Sequence, residues 1–180
     1  MSEPADWLRD WWETNIGQEL APGVTGLVDK LGTAGVAREL GVAQRTVQRW
    51  TRYERGEHDA NARNPEKSPQ AEAIAQLRER ESPDVALDML QMHGLIVAEG
   101  AQVDYSFNQD VDRYLREDRE IGREVYLSPS VLDDLIAAAQ QDDWQSAAAA
   151  FDAAFWESPD YTAPGGLFVA IHDMDMRIGG

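Results

Sequence analysis

The residues best suited to chemistry fall in one short stretch. Gln44, Arg45, Thr46, Gln48 and Arg49 share one side of a predicted helix, and Arg52 follows a turn later. Val47 and Trp50 occupy the opposite side. In the major groove of duplex DNA an arginine can fork onto guanine and a glutamine onto adenine, and both also reach phosphates. Gln44, Arg45 and Thr46, at the start of the helix, would lie deepest in the groove. Arg38, Arg55, Arg63 and Lys67 are better placed for phosphate contacts. The plainer alternative is a solvated Arg/Gln face that meets an acidic protein.

The steric pattern upstream supports the first reading. The run Gly32-Thr33-Ala34-Gly35-Val36-Ala37-Arg38-Glu39-Leu40-Gly41-Val42-Ala43 leads into that helix. A helix-turn-helix needs a small residue where its helices cross, and Ala37 supplies it. It needs a residue tolerant of positive φ in the turn, and Gly41 stands four residues later. Val42 should be buried after the turn. Val36, Leu40, Val47 and Trp50 should pack inward. A preceding helix with Val24, Leu27, Val28 and Leu31 would complete a three-helix core.

Charge sharpens the contrast with the rest of the chain. The 180 residues carry 33 acids and 16 bases, a net charge of −17. The bases are 14 Arg and only 2 Lys. Yet residues 33–80 hold 9 bases and 7 acids, whereas residues 81–180 hold 5 and 20. One positive segment in a negative chain singles out a partner surface. Abundant acid with little lysine also suits a halophilic protein. At molar salt the screening length is about 3 Å, so the acids would barely repel DNA.

Other chemistries find no support. There is no cysteine, which excludes disulfide frameworks, thiolate zinc sites and iron–sulfur clusters. His58, His93 and His172 are scattered. His172-Asp173-Met174-Asp175 invites a metal, but alternate residues of a strand face opposite sides. No glycine-rich phosphate loop, nucleophile elbow or His-Glu-x-x-His motif occurs. No metal, cofactor or catalytic residue is expected. No apolar run approaches the roughly 20 residues of a membrane span, and no signal peptide opens the chain. A soluble protein of the cytoplasm, associated with the nucleoid, is expected.

Around the motif, Ala5–Ile16 reads as a short helix with Trp7, Leu8, Trp11, Trp12 and Ile16 on one face. Residues 54–69 read as a loop or wing. Helices follow over Pro69–Glu81 and Pro83–His93. A hairpin about Gly100 should join 95–98 to 102–107. Residues 108–122 read as a loop or solvated helix, and 124–127 as a strand. Ser128 should cap the next helix, and an alanine-rich helix should run from Asp143 to Trp156. One long strand, 166–178, should close the chain. The fold class is therefore α+β: a three-helix helix-turn-helix domain over 1–81, then a small antiparallel sheet with packed helices over 82–180. A sheet edge, or the Trp144/Phe151/Trp156 helix, could pair two copies. A homodimer or higher oligomer on double-stranded DNA is expected.

The run from Gly32 to Arg49 resembles the DNA-binding segment of the telomere terminal proteins of actinomycete linear replicons. The likeness continues in layout through Gly94-Leu95-Ile96-Val97, Val103-Asp104-Tyr105-Ser106-Phe107, Val125-Tyr126-Leu127-Ser128-Pro129 and Ile171-His172-Asp173-Met174-Asp175. The resemblance implies a role at replicon ends, with replication proteins as further partners; a transcriptional regulator is the alternative. In that family, which is basic, a threonine hydroxyl is joined to the DNA 5′ end and primes synthesis. This acidic chain has no threonine between Thr51 and Thr162, which leaves Tyr105, Ser106 and Tyr114 as hydroxyls in that segment. No enzymatic activity is expected beyond that priming step.

Overall fold

A computed structural model describes residues 2–57, 59–107, 115–160 and 166–180. The chain is α+β, with seven α-helices and six strands among those residues. In order they are α1 (Pro4–Trp12), α2 (Gly23–Leu40), α3 (Gln44–Glu54), α4 (Ala71–Arg80) and α5 (Pro83–His93). Then come β1 (Leu95–Val97), β2 (Ala101–Ser106), β3 (Leu115–Ile121), β4 (Val125–Leu127), α6 (Asp133–Gln140), α7 (Trp144–Glu157), β5 (Leu167–Asp173) and β6 (Met176–Ile178). Contacts divide the chain into two compact units, Gly17–Ala86 and Met1–Ile16 with Leu87–Gly180. In this division α1 lies with the strands, and the helical unit runs from Gly17 to Ala86. No helix among the described residues is long and apolar enough to cross a membrane.

The helical unit is built on a small core. Val24, Leu27, Val36, Ala37, Val47, Trp50, Ile74 and Leu77 are buried together, flanked by Leu20, Val28, Leu31, Leu40 and Val42. α2 is two helices joined at Gly32, whose φ of 72° and ψ of 161° interrupt the helical backbone. α4 joins the core through Ile74 and Leu77, one turn apart. Residues 54–69 contain no strand among those described; of the expected loop or wing they form the loop, with a 3₁₀ turn at Pro65–Lys67.

Polar side chains fasten this core at its ends. The first amides of α2 need acceptors, and Pro22 before them offers no side-chain oxygen. Glu54, at the end of α3, fills the gap. Its carboxylate accepts from the Val24 and Thr25 N–H groups, each at 2.8 Å, and from the Thr25 hydroxyl at 2.7 Å. Arg78 of α4 donates to the carbonyls of Ala21 and Gly23 at 2.8 and 2.5 Å. Lys30 donates to the Glu81 carbonyl at 2.9 Å.

In the second unit, β1 lies between β4 and β6, and β2 lies between β3 and β5. All pairings are antiparallel. The two small sheets continue one another. Leu95 faces Leu127, Val97 faces Val125, and further along Ala101 faces Ile121, all on one register. The Ala98 N–H reaches the Asp175 carbonyl and the Gly100 N–H reaches the Ile121 carbonyl, both at 2.9 Å, across the interruption.

Four expectations are thereby corrected. Residues 95–98 and 102–107 form no hairpin, since β1 and β2 belong to different sheets and Gly100 marks the break in a central strand. The described part of 108–122 is β3. Its Arg116–Glu120 are exposed on both faces, so the segment carries no alternating signal. The closing strand is divided into β5 and β6 at Met174-Asp175. Ser128 makes no capping hydrogen bond; a 3₁₀ turn at Pro129–Val131 intervenes.

α7 supplies most of this unit's core. Asp143 caps it by accepting from the Ser146 N–H at 3.1 Å. Phe151, Phe155 and Trp156 pack with Phe168 of β5, at centroid distances of 5.9, 5.0 and 5.4 Å. α1 buries Ala5, Leu8 and Trp12, and Trp12 meets Trp144 edge-on at 6.3 Å. Phe151 and Trp156 are thus committed to the interior, which removes them as a surface for pairing two copies. Asp152 is buried among them and accepts from the Trp156 indole at 2.8 Å and the Phe168 N–H at 2.9 Å. Burial holds its carboxyl above the ordinary aspartate range, partly offset by those two donors.

Candidate nucleic-acid interface

The turn before α3 fixes where its side chains point. Gly41 has φ 64° and ψ 33°, the left-handed conformation that ends a helix at little cost in glycine. The Val42 N–H bonds back to the Ala37 carbonyl at 2.9 Å, and the Gly41 N–H to Arg38 at 3.3 Å. This double closure reverses the chain sharply, so that α3 packs across the small side chain of Ala37. Val47, Trp50 and Thr51 then face inward.

The outward side of α3 is cationic. Gln44, Arg45, Gln48, Arg52 and Arg55 are exposed, and Arg49 is half-buried. Arg45, Gln48, Arg49, Arg52 and Arg55 line a single open concavity of about 450 Å³, together with Thr51 and Asn61. The only carboxylate of α3 is Glu54, and it is turned away to cap α2. The Nε of Arg49 is buried without a hydrogen-bond partner.

The loop after α3 forms the other wall. The Glu57 N–H bonds to the Arg52 carbonyl and the Arg63 N–H to the Arg49 carbonyl, each at 3.0 Å. Asp59 turns the loop by accepting from the Asn61 and Ala62 N–H groups at 2.7 and 3.0 Å. The Asn61 amide is the main cause that holds the Asp59 carboxyl below its ordinary range, and Arg52 and Arg63 add to it. Arg52 meets Glu57 at 3.1 Å and Asp59 at 3.8 Å.

The remaining expected residues stand apart from the concavity. Arg38 is exposed on the last turn of α2, and Lys67 ends the 3₁₀ turn. Thr46 is half-buried. Arg63 spends one nitrogen locally, on the carbonyls of Ala60 and Ala62 at 2.8 Å each. Asn61 was not among the expected contacts. Its signal was the Asp59-x-Asn61 spacing, since an aspartate that accepts from the amide two residues on builds a tight turn.

The hydroxyl candidates lie in the other unit. Ser106 is 1% exposed, so its hydroxyl is not presented to solvent. Tyr105 is half-buried and packs on Phe107 and Trp156, at 4.9 and 5.1 Å between centroids. Tyr114 and His58 lie outside the described residues. His172 on β5 meets Asp104 on β2 at 2.9 Å. The Asp104 carboxyl is held below its ordinary range, first by the Asp118 N–H and then by His172.

No family model, curated protein or solved structure matches this chain.

Proposed function

We propose that the protein binds double-stranded DNA by laying α3 in the major groove, as a homodimer or higher oligomer. One observation carries the reading. The outward side of α3, with Arg55 just after it, gathers four arginines and a glutamine around one concavity, while the single carboxylate of α3 is turned inward. Gln44, Arg45 and Gln48 are suited to base edges. Arg38, Arg49, Arg52, Arg55 and Lys67 are suited to the phosphates that set position.

The test is direct binding of labelled duplexes selected from a random pool, followed by fluorescence anisotropy. The double variant Arg45→Ala/Gln48→Ala should lose about 1–3 kcal/mol for each base contact removed. Its melting temperature should stay close to that of the wild type, because neither side chain belongs to the core. Undiminished affinity in the double variant removes α3 as the reading helix.

For the biological role, the resemblance directs attention to replicon ends. Enrichment of terminal DNA with the protein in cells supports that role. Enrichment at promoters supports control of transcription instead.

A further inference from the structure

The cationic face of α3 carries its own competitor for phosphate. Arg52 stands mid-way along the concavity, yet its guanidinium already meets two carboxylates, Glu57 at 3.1 Å and Asp59 at 3.8 Å. Both acids are held in place. The Glu57 amide is tied to the Arg52 carbonyl, and Asp59 is fixed by the turn it closes on Asn61 and Ala62. Ala62, 8% exposed, anchors the loop beneath them.

The pairs are also weak enough to be exchanged. The side chains of Arg52, Glu57 and Asp59 are 47%, 49% and 49% exposed, so water screens their attraction. A phosphodiester oxygen offers the same charge and acceptor chemistry as a carboxylate oxygen. Among the described residues no acid is paired with Arg45 or Arg55 on the same concavity.

We propose that Glu57 and Asp59 occupy Arg52 in the free protein and are displaced by a backbone phosphate of the duplex, so that the loop lowers sequence-independent affinity and leaves base reading by Gln44, Arg45 and Gln48 to decide the site. This inference rests on the DNA-binding reading above. Sequence-independent binding arises almost wholly from phosphate contacts. An arginine that must exchange a carboxylate for each phosphate adds little to it. At a cognate site, base contacts hold the helix in register and the exchange follows.

The test uses the full chain and the pair of substitutions Glu57→Gln and Asp59→Asn. Asparagine keeps the side-chain oxygen that accepts from Asn61 and Ala62, so the turn survives while the charge is removed. Affinity for a random-sequence duplex of about thirty base pairs is measured across a salt series. The double variant should bind roughly two- to fivefold more tightly for each carboxylate neutralised. Its log-affinity against log-salt slope should steepen by about one, the signature of one added phosphate contact. The same two substitutions placed in an Arg52→Ala background should give no gain.

Equal gains with and without Arg52 would mean that the acids act only by general repulsion, and would overturn the inference. Unchanged affinity and slope in the double variant would overturn it too, while leaving the DNA-binding reading intact. Absence of binding by the wild type and every variant would overturn that reading itself. Thermal melts of each variant separate a loss of folding from a loss of contact.

Discussion

The two units differ in how many acids they hold and in where those acids lie. Residues 17–86 hold 10 bases and 11 acids, while the rest of the chain holds 6 and 22. In the helical unit several acids have specific partners. Glu54 caps α2, and Glu39 meets Arg80 at 2.7 Å, which holds its carboxyl below the ordinary range. What remains outward on α3 is arginine and glutamine. In the strand unit some acids are paired, as Glu124 is with Arg177 at 2.8 Å, others lie on solvated surface such as β3, and one, Asp152, is buried. A carboxylate's effect thus depends less on the total charge than on what each one faces. A chain of net charge −17 can still present a cationic face if the acids beside it are spoken for.

The comparison breaks most severely at Trp50. It is 2% exposed at the centre of the helical core and contributes nothing to the strand unit's aromatic cluster. Trp50→Ala should cost about 3–5 kcal/mol. Hydrogen exchange should then lose protection across 17–86 and retain it at β1, β2 and α7. Equal loss in both units would show that they fold as one.

Glu54 sharpens the contrast at smaller scale. Glu54→Ala leaves the Val24 and Thr25 amides without their acceptor and should destabilise the helical unit by about 2 kcal/mol. It would also expose how much of the orientation of α3 depends on that tie. A denaturant series followed by amide hydrogen exchange across 17–86 measures it, and a midpoint equal to that of the wild type would discount the cap.

Asp152 gives the smallest effect and the clearest sign. Its folded carboxyl is held above the unfolded value, so its protonated form is favoured in the native state. That contribution is fully present below the unfolded pKa, near 3.9, and is lost as pH rises through the higher folded value. Asp152→Asn keeps an oxygen for the Trp156 and Phe168 donors and abolishes the titration. The wild type should therefore lose stability relative to the variant as pH rises from about 4 toward neutrality. Melting curves of both proteins across that range check it; parallel curves would mean the carboxyl is not strained by burial.

The helix-turn-helix was legible because its constraints are local. Ala37, Gly41, Val42, Val47 and Trp50 lie within fourteen positions of one another, and each is demanded by sterics between neighbouring turns. The outward row of Gln44, Arg45, Gln48, Arg49 and Arg52 followed from helical periodicity alone. Asn61 was not legible as a wall of the concavity, because its place depends on how a loop folds back on α3.

The strand unit shows the same limit. Strand positions such as 102–106 could be read from their apolar alternation. Their partners could not, because pairing links residues far apart in the chain. Ile96 faces both Tyr126 and Arg177, and no local pattern announces that choice. Likewise, the tryptophans of α1 marked a buried face without saying against what. Sequence by itself determined the local geometry that turns an Arg/Gln row outward. Only the tertiary structure decided which acids lie beside that row and which lie elsewhere, because electrostatic partners are chosen by distance in space and not by distance along the chain.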